Sequence, residues 1–393
     1  MKLRFRHKMI VIILRPLIRL FCRLAYNIHY QGFEEAKNLP TPCLIIANHT
    51  TNLDPVFLSM GVPFPVFYVA SDNLFRLGIF SKLIKYFFSP IPKLKISSDI
   101  RTIRDMKAAL RSGASVGVFP EGNRSWCGET EEISPAIGKL IRHLGVPLVV
   151  CRIHGAYYAS PRWASSDRRG KIECRLVRVL PAQKIQTMSV DEINRQVRED
   201  LHVSAAQDQK LALVAYRGKN LAENIEIALY ACPHCGGLAT IHSKGNRAGC
   251  GCGFSFEYDS FGLLHGAPYQ TLEEWNHWQT EHLRKQLKKA EQDKQSHAFF
   301  SDENQLLYGL TRAKKATLVA QGTFSLFFDR FCFEGEQEAF TFRLDEVSRI
   351  SIWSRMTLQL GLTDGRFFEV KTRDPRSAYK YQQAYYLLKG KDE

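Results

Sequence analysis

The stretch "IIANHTTNLDP", residues 45–55, decides how the rest of the chain is read. An apolar run ends at Asn48-His49, and Asp54 follows five residues past the histidine, directly before Pro55. On a continuous helix, five residues turn through about 140°, which would hold the two side chains apart. They can meet only if His49 stands in a loop leaving a strand and Asp54 opens the next helix. Asp54-Pro55 fits that arrangement as an N-cap followed by proline at the first helical position. Three readings are open: a base with its orienting carboxylate, a pair of metal ligands, or a capping aspartate beside an ordinary loop histidine.

A second strand end bears on the choice. In "SVGVFPEGNRSW", residues 115–126, an apolar run stops at Phe119 and the chain turns at Pro120 into Glu121, Gly122 and Arg124. Gly122 permits close backbone approach, and Arg124 offers a planar fork suited to phosphate. Ligands of open α/β sheets gather outside the carboxyl ends of strands, and both motifs lie at such ends. The surrounding sequence supplies the sheet. Runs "CLIIAN", "VFYVA", "SVGVF", "PLVVCRI" and "ECRLVRVL" alternate with helical patterns such as Asp99–Arg111. That alternation predicts an α/β domain over residues 31–205, with a largely parallel sheet flanked by helices.

The pair "NHTTNLD" and "FPEGNRS", followed by "GVPLVVCRIHG", resembles the glycerolipid acyltransferase family typified by bacterial 1-acylglycerol-3-phosphate acyltransferases. The family signature is N-H-x4-D, then F-P-E-G-T-R-S, then V-P-[IVL]-[IV]-P-V, and the resemblance runs over about residues 25–205. It implies a glycerolphosphate acyltransferase-like fold with His49 as general base and Asp54 as its orienting partner. It implies that Glu121, Gly122 and Arg124 belong to an acceptor-phosphate site and that Pro147 marks the fourth motif. Asn123 stands where the family has threonine. The family's intermediate Phe-Ile-x-Arg run is replaced by "IPKLKISSDIR", which leaves Lys93, Lys95 or Arg101 to take the arginine's place. The implied reaction moves an acyl group from acyl-CoA or acyl carrier protein to the hydroxyl of a lysophospholipid in phospholipid biosynthesis, with 1-acylglycerol 3-phosphate as the first acceptor. Another lysophospholipid, glycerol phosphate or a lipid-linked sugar are alternative acceptors, and a non-catalytic lipid-binding scaffold is the alternative to catalysis. The implied chemistry uses no metal or redox cofactor.

The chain of 393 residues carries a net charge of +15, which favours an anionic partner. Residues 1–30 hold Lys2, Arg4, Arg6, Lys8, Arg15, Arg19 and Arg23 and no acidic residue. The longest apolar run there, Met9–Leu14, is far short of the ~18–20 residues of a spanning helix. It also lacks the h-region and cleavage site of a signal peptide. Arg15, Arg19 and Arg23 recur every four residues, with Leu17, Leu20, Phe21 and Leu24 beside them, and Pro16 suits the first turn of such a helix. The segment reads as a basic amphipathic helix lying in a membrane interface, on the cytoplasmic face. An ordinary surface helix packed on its own domain is the plainer reading. Nucleic acid is the weaker anionic partner, because residues 232–258 oppose Lys244 and Arg247 with Glu257 and are otherwise nearly uncharged.

Ten cysteines fall into two sets. Cys22, Cys43, Cys127, Cys151, Cys174 and Cys332 are scattered, as reduced cytosolic thiols are. Cys232 and Cys235 in "CPHC" and Cys250 and Cys252 in "CGC" are separated by fourteen residues and predict a ribbon around a structural zinc, with His234 or His242 as substitute ligands. The ribbon region is set at residues 206–265. A charged connecting helix, residues 266–297, opens on a Thr271-x-x-Glu274 capping box, with Trp275 and Trp278 packing on the ribbon. Strand-like segments and a final helical run, Pro375–Lys389, predict a small α+β barrel over residues 298–393. Its strand order weakly resembles a pleckstrin-homology or GRAM-type barrel.

Overall fold

The computed structural model describes residues 2–71, 74–75, 79–93, 100–292, 297–310, 316–372 and 374–390. The chain divides into two compact units, one of residues 1–162 and 166–218, the other of residues 163–165 and 219–393.

The first unit opens with helix α1 (Phe5–Tyr26) and strands β1 (Ile28–Gln31) and β2 (Leu44–Ala47). Helix α2 (Asp54–Gly61), β3 (Val66–Ser71), α3 (Ile79–Phe88), β4 (Ile91–Lys93) and α4 (Ile100–Arg111) follow. Then come β5 (Ser115–Val118), α5 (Ala136–Leu144), β6 (Leu148–His154), the short α6 (Ala156–Ala159) and β7 (Ile172–Leu180). Helices α7 (Ala182–Thr187), α8 (Val190–Leu201) and α9 (Ala205–Leu211) close the unit.

The strands form one sheet in the order β1-β7-β6-β2-β5-β3-β4. Side chains alternate between its faces as the pleat requires. Ile45, Ala47, Val149, Cys151 and Ile153 join Phe57 and Leu58 of α2 and Cys22 of α1 in one core. Leu44, Ile46, Leu148 and Val150 join Met106 of α4, Ile141 of α5 and Val197 of α8 in the other. The sheet is mixed rather than largely parallel. β6 and β7 pair antiparallel and β1 pairs parallel with β7, so these two edge strands run against the other five. The reason lies in the connection. Between β6 and β7 the only helix is the four-residue α6. A parallel return is usually built on a full crossover helix, and residues 155–171 hold only that single turn of helix.

Two local expectations are corrected. Pro16 lies inside α1 rather than in its first turn. Both Pro16 and Ile12, whose carbonyl loses its helical partner, are exposed, so water can take up the free acceptor. Leu53, not Asp54, is the N-cap of α2, and Asp54 is its first residue.

In the second unit, β8 (Ile241–Lys244), β9 (Arg247–Cys250), β10 (Ser255–Tyr258) and β11 (Leu264–His265) form a small antiparallel sheet. Helix α10 (Leu272–Gln292) buries Trp275, whose Nε1 donates to Ala231 O at 3.0 Å and whose ring packs on Phe256. Trp278 stacks between Tyr269 and His282. Seven further strands follow: β12 (Phe300–Leu310), β13 (Thr317–Leu326), β14 (Arg330–Gly335), β15 (Ala339–Arg343), β16 (Val347–Trp353), β17 (Thr357–Leu362) and β18 (Phe367–Thr372). They are antiparallel in the order β15-β14-β13-β12-β18-β17-β16, and helix α11 (Ala378–Leu388) packs on β16 and β17. Lys380 of α11 and Asp302 of β12, both buried, pair at 2.7 Å.

Gly117 of β5 is the position in the main sheet with least tolerance. A Cβ there would overlap the buried ring of Tyr68 on β3. Gly117→Ala is expected to lower the stability of the intact chain by about 1–3 kcal/mol, the usual cost of overpacking, read as a lowered thermal midpoint. Tyr68→Leu in the same chain should restore part of the loss, and an unshifted midpoint in Gly117→Ala would contradict the packing argument.

Candidate active site

The carboxyl ends of β2 and β5 carry the site, and Asn48 fixes the first of them. This buried side chain donates from Nδ2 to Ile153 O at 3.0 Å and accepts Ile153 N at Oδ1 at 2.7 Å. It extends the pairing of β2 with β6 by one side chain and sets the point at which the chain leaves the sheet.

His49 follows. Its Nδ1 lies 2.8 Å from Oδ2 of Asp54, which is completely buried, while the imidazole keeps about 20% of its surface exposed. The aspartate is held by the loop it closes. Thr50 N and Thr51 N donate to Oδ2 at 2.6 and 2.9 Å, and Thr51 Oγ1 donates to Oδ1 at 2.8 Å. All these donors precede Asp54, so the carboxylate does not cap its own helix. Surrounded by donors, it acts as the acceptor toward the ring, which places the proton on Nδ1 and leaves the Nε2 lone pair free. The ring stacks on Phe119, with centroids 4.3 Å apart at 19°, and Phe119 stacks in turn on Tyr68.

Glu121 ties the second motif to the first. It is buried; Oε1 accepts His49 N at 2.6 Å and Oε2 accepts Glu131 N at 2.7 Å. Burial pushes its carboxyl well above the ordinary range, against the pull of these two amides. Ser125 N donates to His49 O at 3.0 Å, which places the Arg124 backbone one residue from the histidine loop. Gly122 has a φ of +70° with open space where a Cβ would stand, in a turn closed by its own amide on Phe119 O. Ser125 is buried, its Oγ donating to Glu129 O and accepting Gly128 N.

The remaining candidates scatter. Pro147 stands at the amino end of β6, where its carbonyl accepts Leu44 N; His49 is at the opposite end of the sheet. Lys93 ends β4 on the sheet edge, separated from β2 by β5 and β3, and Arg101 is exposed in the first turn of α4. Lys95 lies outside the described residues. Sequence reasoning passed over Phe119, Thr50 and Thr51, although all three lie within the quoted motifs. It also passed over His154, at the end of β6, whose Nδ1 is 2.8 Å from Asp208 Oδ2.

Cys232, Cys235, Cys250 and Cys252 converge, with all four sulfurs within 4.8 Å of one another. Cys232–Cys252 and Cys235–Cys250 are 3.9 and 3.8 Å apart. A tetrahedron of sulfurs at ~2.3 Å from a central zinc has edges of about 3.8 Å, so the cluster has the dimensions of a four-thiolate metal site. His234 approaches Cys252 at 3.6 Å, outside the quartet, and His242 is exposed on β8.

Residues 29–154 match the Acyltransferase family. Over 132 residues the chain is 25% identical to a chloroplastic 1-acyl-sn-glycerol-3-phosphate acyltransferase of Brassica napus, covering 33% of this chain and 38% of that one. It is 30% identical over 129 residues to a probable 1-acyl-sn-glycerol-3-phosphate acyltransferase of Mycoplasma pneumoniae, covering 30% and 47%. A crystal structure of the 1-acyl-sn-glycerophosphate (LPA) acyltransferase from Thermotoga maritima aligns with a TM-score of 0.43 and 21% identity, over 52% of this chain and 80% of that one. The chain spans less than half the length of the curated relatives it matches. Residues 29–154, which contain both strand-end motifs, thus match the Acyltransferase family, and the relatives they resemble are 1-acyl-sn-glycerol-3-phosphate acyltransferases.

Proposed function

We propose that the protein is an O-acyltransferase that moves a fatty acyl group from acyl-CoA or acyl carrier protein to the free hydroxyl of a lysophospholipid, 1-acylglycerol 3-phosphate before others. The observation that carries this reading is the His49–Asp54 pair, with Nδ1 bound to a buried carboxylate and the imidazole itself partly open. An alcohol is a weak nucleophile near neutrality and needs a base as it attacks. His49 Nε2 takes the hydroxyl proton while the oxygen adds to the thioester carbonyl. When the tetrahedral adduct collapses, the C–S bond breaks, and the imidazolium returns the proton to the departing thiolate. Asp54 keeps the ring in the required tautomer and stabilises its cation. Gly122 leaves the turn open for an anion, and Arg124 supplies the fork for the acceptor phosphate. Lys93 and Arg101, both on the strand-end side of the sheet, are secondary anion ligands in this reading.

His49→Ala is expected to reduce acyl transfer by 10²–10⁴-fold, and Asp54→Asn to leave a folded protein slowed by a similar factor, about the sizes of a lost base and a lost orienting carboxylate. Arg124→Lys should raise the KM for the phosphorylated acceptor more than that for the donor. Thiol release from acyl-CoA at saturating and limiting lysolipid measures all three. Near-normal turnover in His49→Ala would end the base assignment.

The acceptor and product are lipids, and α1 supports a peripheral attachment to the cytoplasmic membrane face. Its inner side buries His7 and Cys22. Its outer side exposes Ile13, Leu17, Leu20 and Leu24, spaced i, i+4, i+7, i+11, with Phe21 beside them. Arg15 donates to Met60 O, and Arg19 lies over Tyr30, so these two arginines lean on the domain at the flank of the apolar face. Among the described residues, no helix is long and apolar enough to cross a membrane. Because His7 and Cys22 are buried, Leu17→Asp/Leu20→Asp is a cleaner test than removing the helix. Binding to anionic vesicles should fall tenfold or more with the thermal midpoint unchanged, and should weaken as salt rises. Undiminished cosedimentation would place the anchor elsewhere.

The four-cysteine cluster supports a structural zinc in the second unit. Cys232, Cys235, Cys250 and Cys252 would hold it, leaving no open position for a substrate. Purified protein should contain about one zinc per chain, and chelation should unfold the β8–β11 sheet, because binding and folding are linked at such sites. Zinc content near zero in chelator-free preparations would defeat the assignment. The seven-stranded sheet with its closing helix supports reading the C-terminal piece as a pleckstrin-homology or GRAM-type barrel.

A further inference from the structure

Arg162 stands 38 residues beyond Arg124 and outside both motifs, yet it is 4% exposed, an unusual state for a guanidinium. Its surroundings explain the burial. The guanidinium carbon lies 4.0 Å from the centroid of Trp126, itself almost completely buried, and Nη1 donates to Arg124 O at 3.3 Å. Trp126 N donates to Glu131 Oε1 at 3.1 Å. Burial outweighs the opposing pull of the Trp126 amide and the Arg162 charge and leaves the Glu131 carboxyl raised to about 7. Glu131 N in turn donates to Glu121, the residue that holds His49 N. One buried cation therefore holds the loop at its ring and its carbonyl and acts on its carboxyl through charge alone.

We infer that Arg162 is a positioning residue for the acceptor site, which holds the Arg124 carbonyl and Trp126 ring so that the Arg124 side chain is presented to the acceptor phosphate. This rests on the reading of Arg124 as phosphate ligand. The plane of the guanidinium matters as well as its charge, because stacking on Trp126 and donation to Arg124 O occur together in one orientation. Lysine can supply the charge without the stacked fork. Arg162 is too enclosed to bind the acceptor itself. Its effect must reach the acceptor through Arg124.

The test compares wild type, Arg162→Lys, Arg162→Gln, Trp126→Phe and Arg124→Lys in the full chain. Acyl-CoA is the donor and 1-acylglycerol 3-phosphate the acceptor, and thermal melting runs alongside. Both Arg162 variants should raise the acceptor KM about tenfold, the scale of one hydrogen bond to a charged group, with donor KM and kcat within about twofold. Trp126→Phe, which keeps an aromatic face, should give a smaller shift of the same kind, and it carries the test if both Arg162 variants fail to fold. An acceptor KM that moves in Arg124→Lys but stays fixed in folded Arg162 and Trp126 variants would overturn the inference and leave the Arg124 reading standing. Equal losses in kcat and both KM values would reduce Arg162 to a structural role. An unmoved acceptor KM in Arg124→Lys would remove the phosphate reading, and the inference with it.

Discussion

A carboxylate with no access to water must find donors inside the protein, and the loop between β2 and α2 is shaped by that requirement at Asp54. An unpaired buried charge would cost several kcal/mol, so the loop turns two consecutive amides and a threonine hydroxyl onto it. The His49 imidazole completes the set. The histidine is thus oriented by the same interactions that stabilise the loop. Glu121 repeats the device one motif later. A second buried carboxyl collects the amides of His49 and Glu131 and joins two loops far apart in sequence. The geometry around His49 is a consequence of satisfying two buried acids.

The ring stack adds a constraint from below. Gly117 leaves room for Tyr68, Tyr68 lies on Phe119, and Phe119 lies on His49. A glycine in the middle of a strand is unfavourable on its own, and here it allows the close approach of an aromatic ring. The histidine is therefore fixed at one nitrogen by the carboxylate and on one face by the phenylalanine, and it stays partly exposed. Such two-point fixation suits the proton transfer proposed for His49, which must coincide with attack at a carbonyl carbon.

Much of this was legible in sequence, because the informative signals were local. The five main-sheet runs ended within one residue of the strand ends, and the Asp54-Pro55 helix start lay equally close to its place. The reversal of β7 and β1 was not legible. It depends on the return path after β6, and "ECRLVRVL" has the same periodicity whichever way the strand runs. Asp54 read as a cap because capping is the commonest use of aspartate before a helix. Its real donors precede it, a choice made by a fully buried environment that no propensity records. Phe119 stood in plain view within its motif, but stacking on His49 requires β5 to lie beside β2, which is a tertiary fact. The two-sided apolarity of α1 was half visible: the arginine spacing showed a stripe, but only the burial of His7 and Cys22 identified the outward face.

Buried charge is met differently around His49 and in the C-terminal sheet, and the difference bears on how the site can vary. In the C-terminal sheet, Lys380 and Asp302 neutralise each other side chain to side chain, so replacing either leaves the other stranded. Around His49 most donors to the buried acids are backbone amides, which survive almost any substitution of the residues that carry them. A site held this way tolerates drift in its sequence while its loop conformation persists. Asn123, where the family it resembles has threonine, takes no part in these amide contacts. Side chains outside the backbone scheme are then the positions through which such a site can be tuned. Phe119 packs on the His49 ring, and Arg162 holds the loop that carries Arg124. Arg162 lies outside the His49–Asp54 pair, so in the proposed reading the loop that carries Arg124 can be altered while that pair keeps its contact.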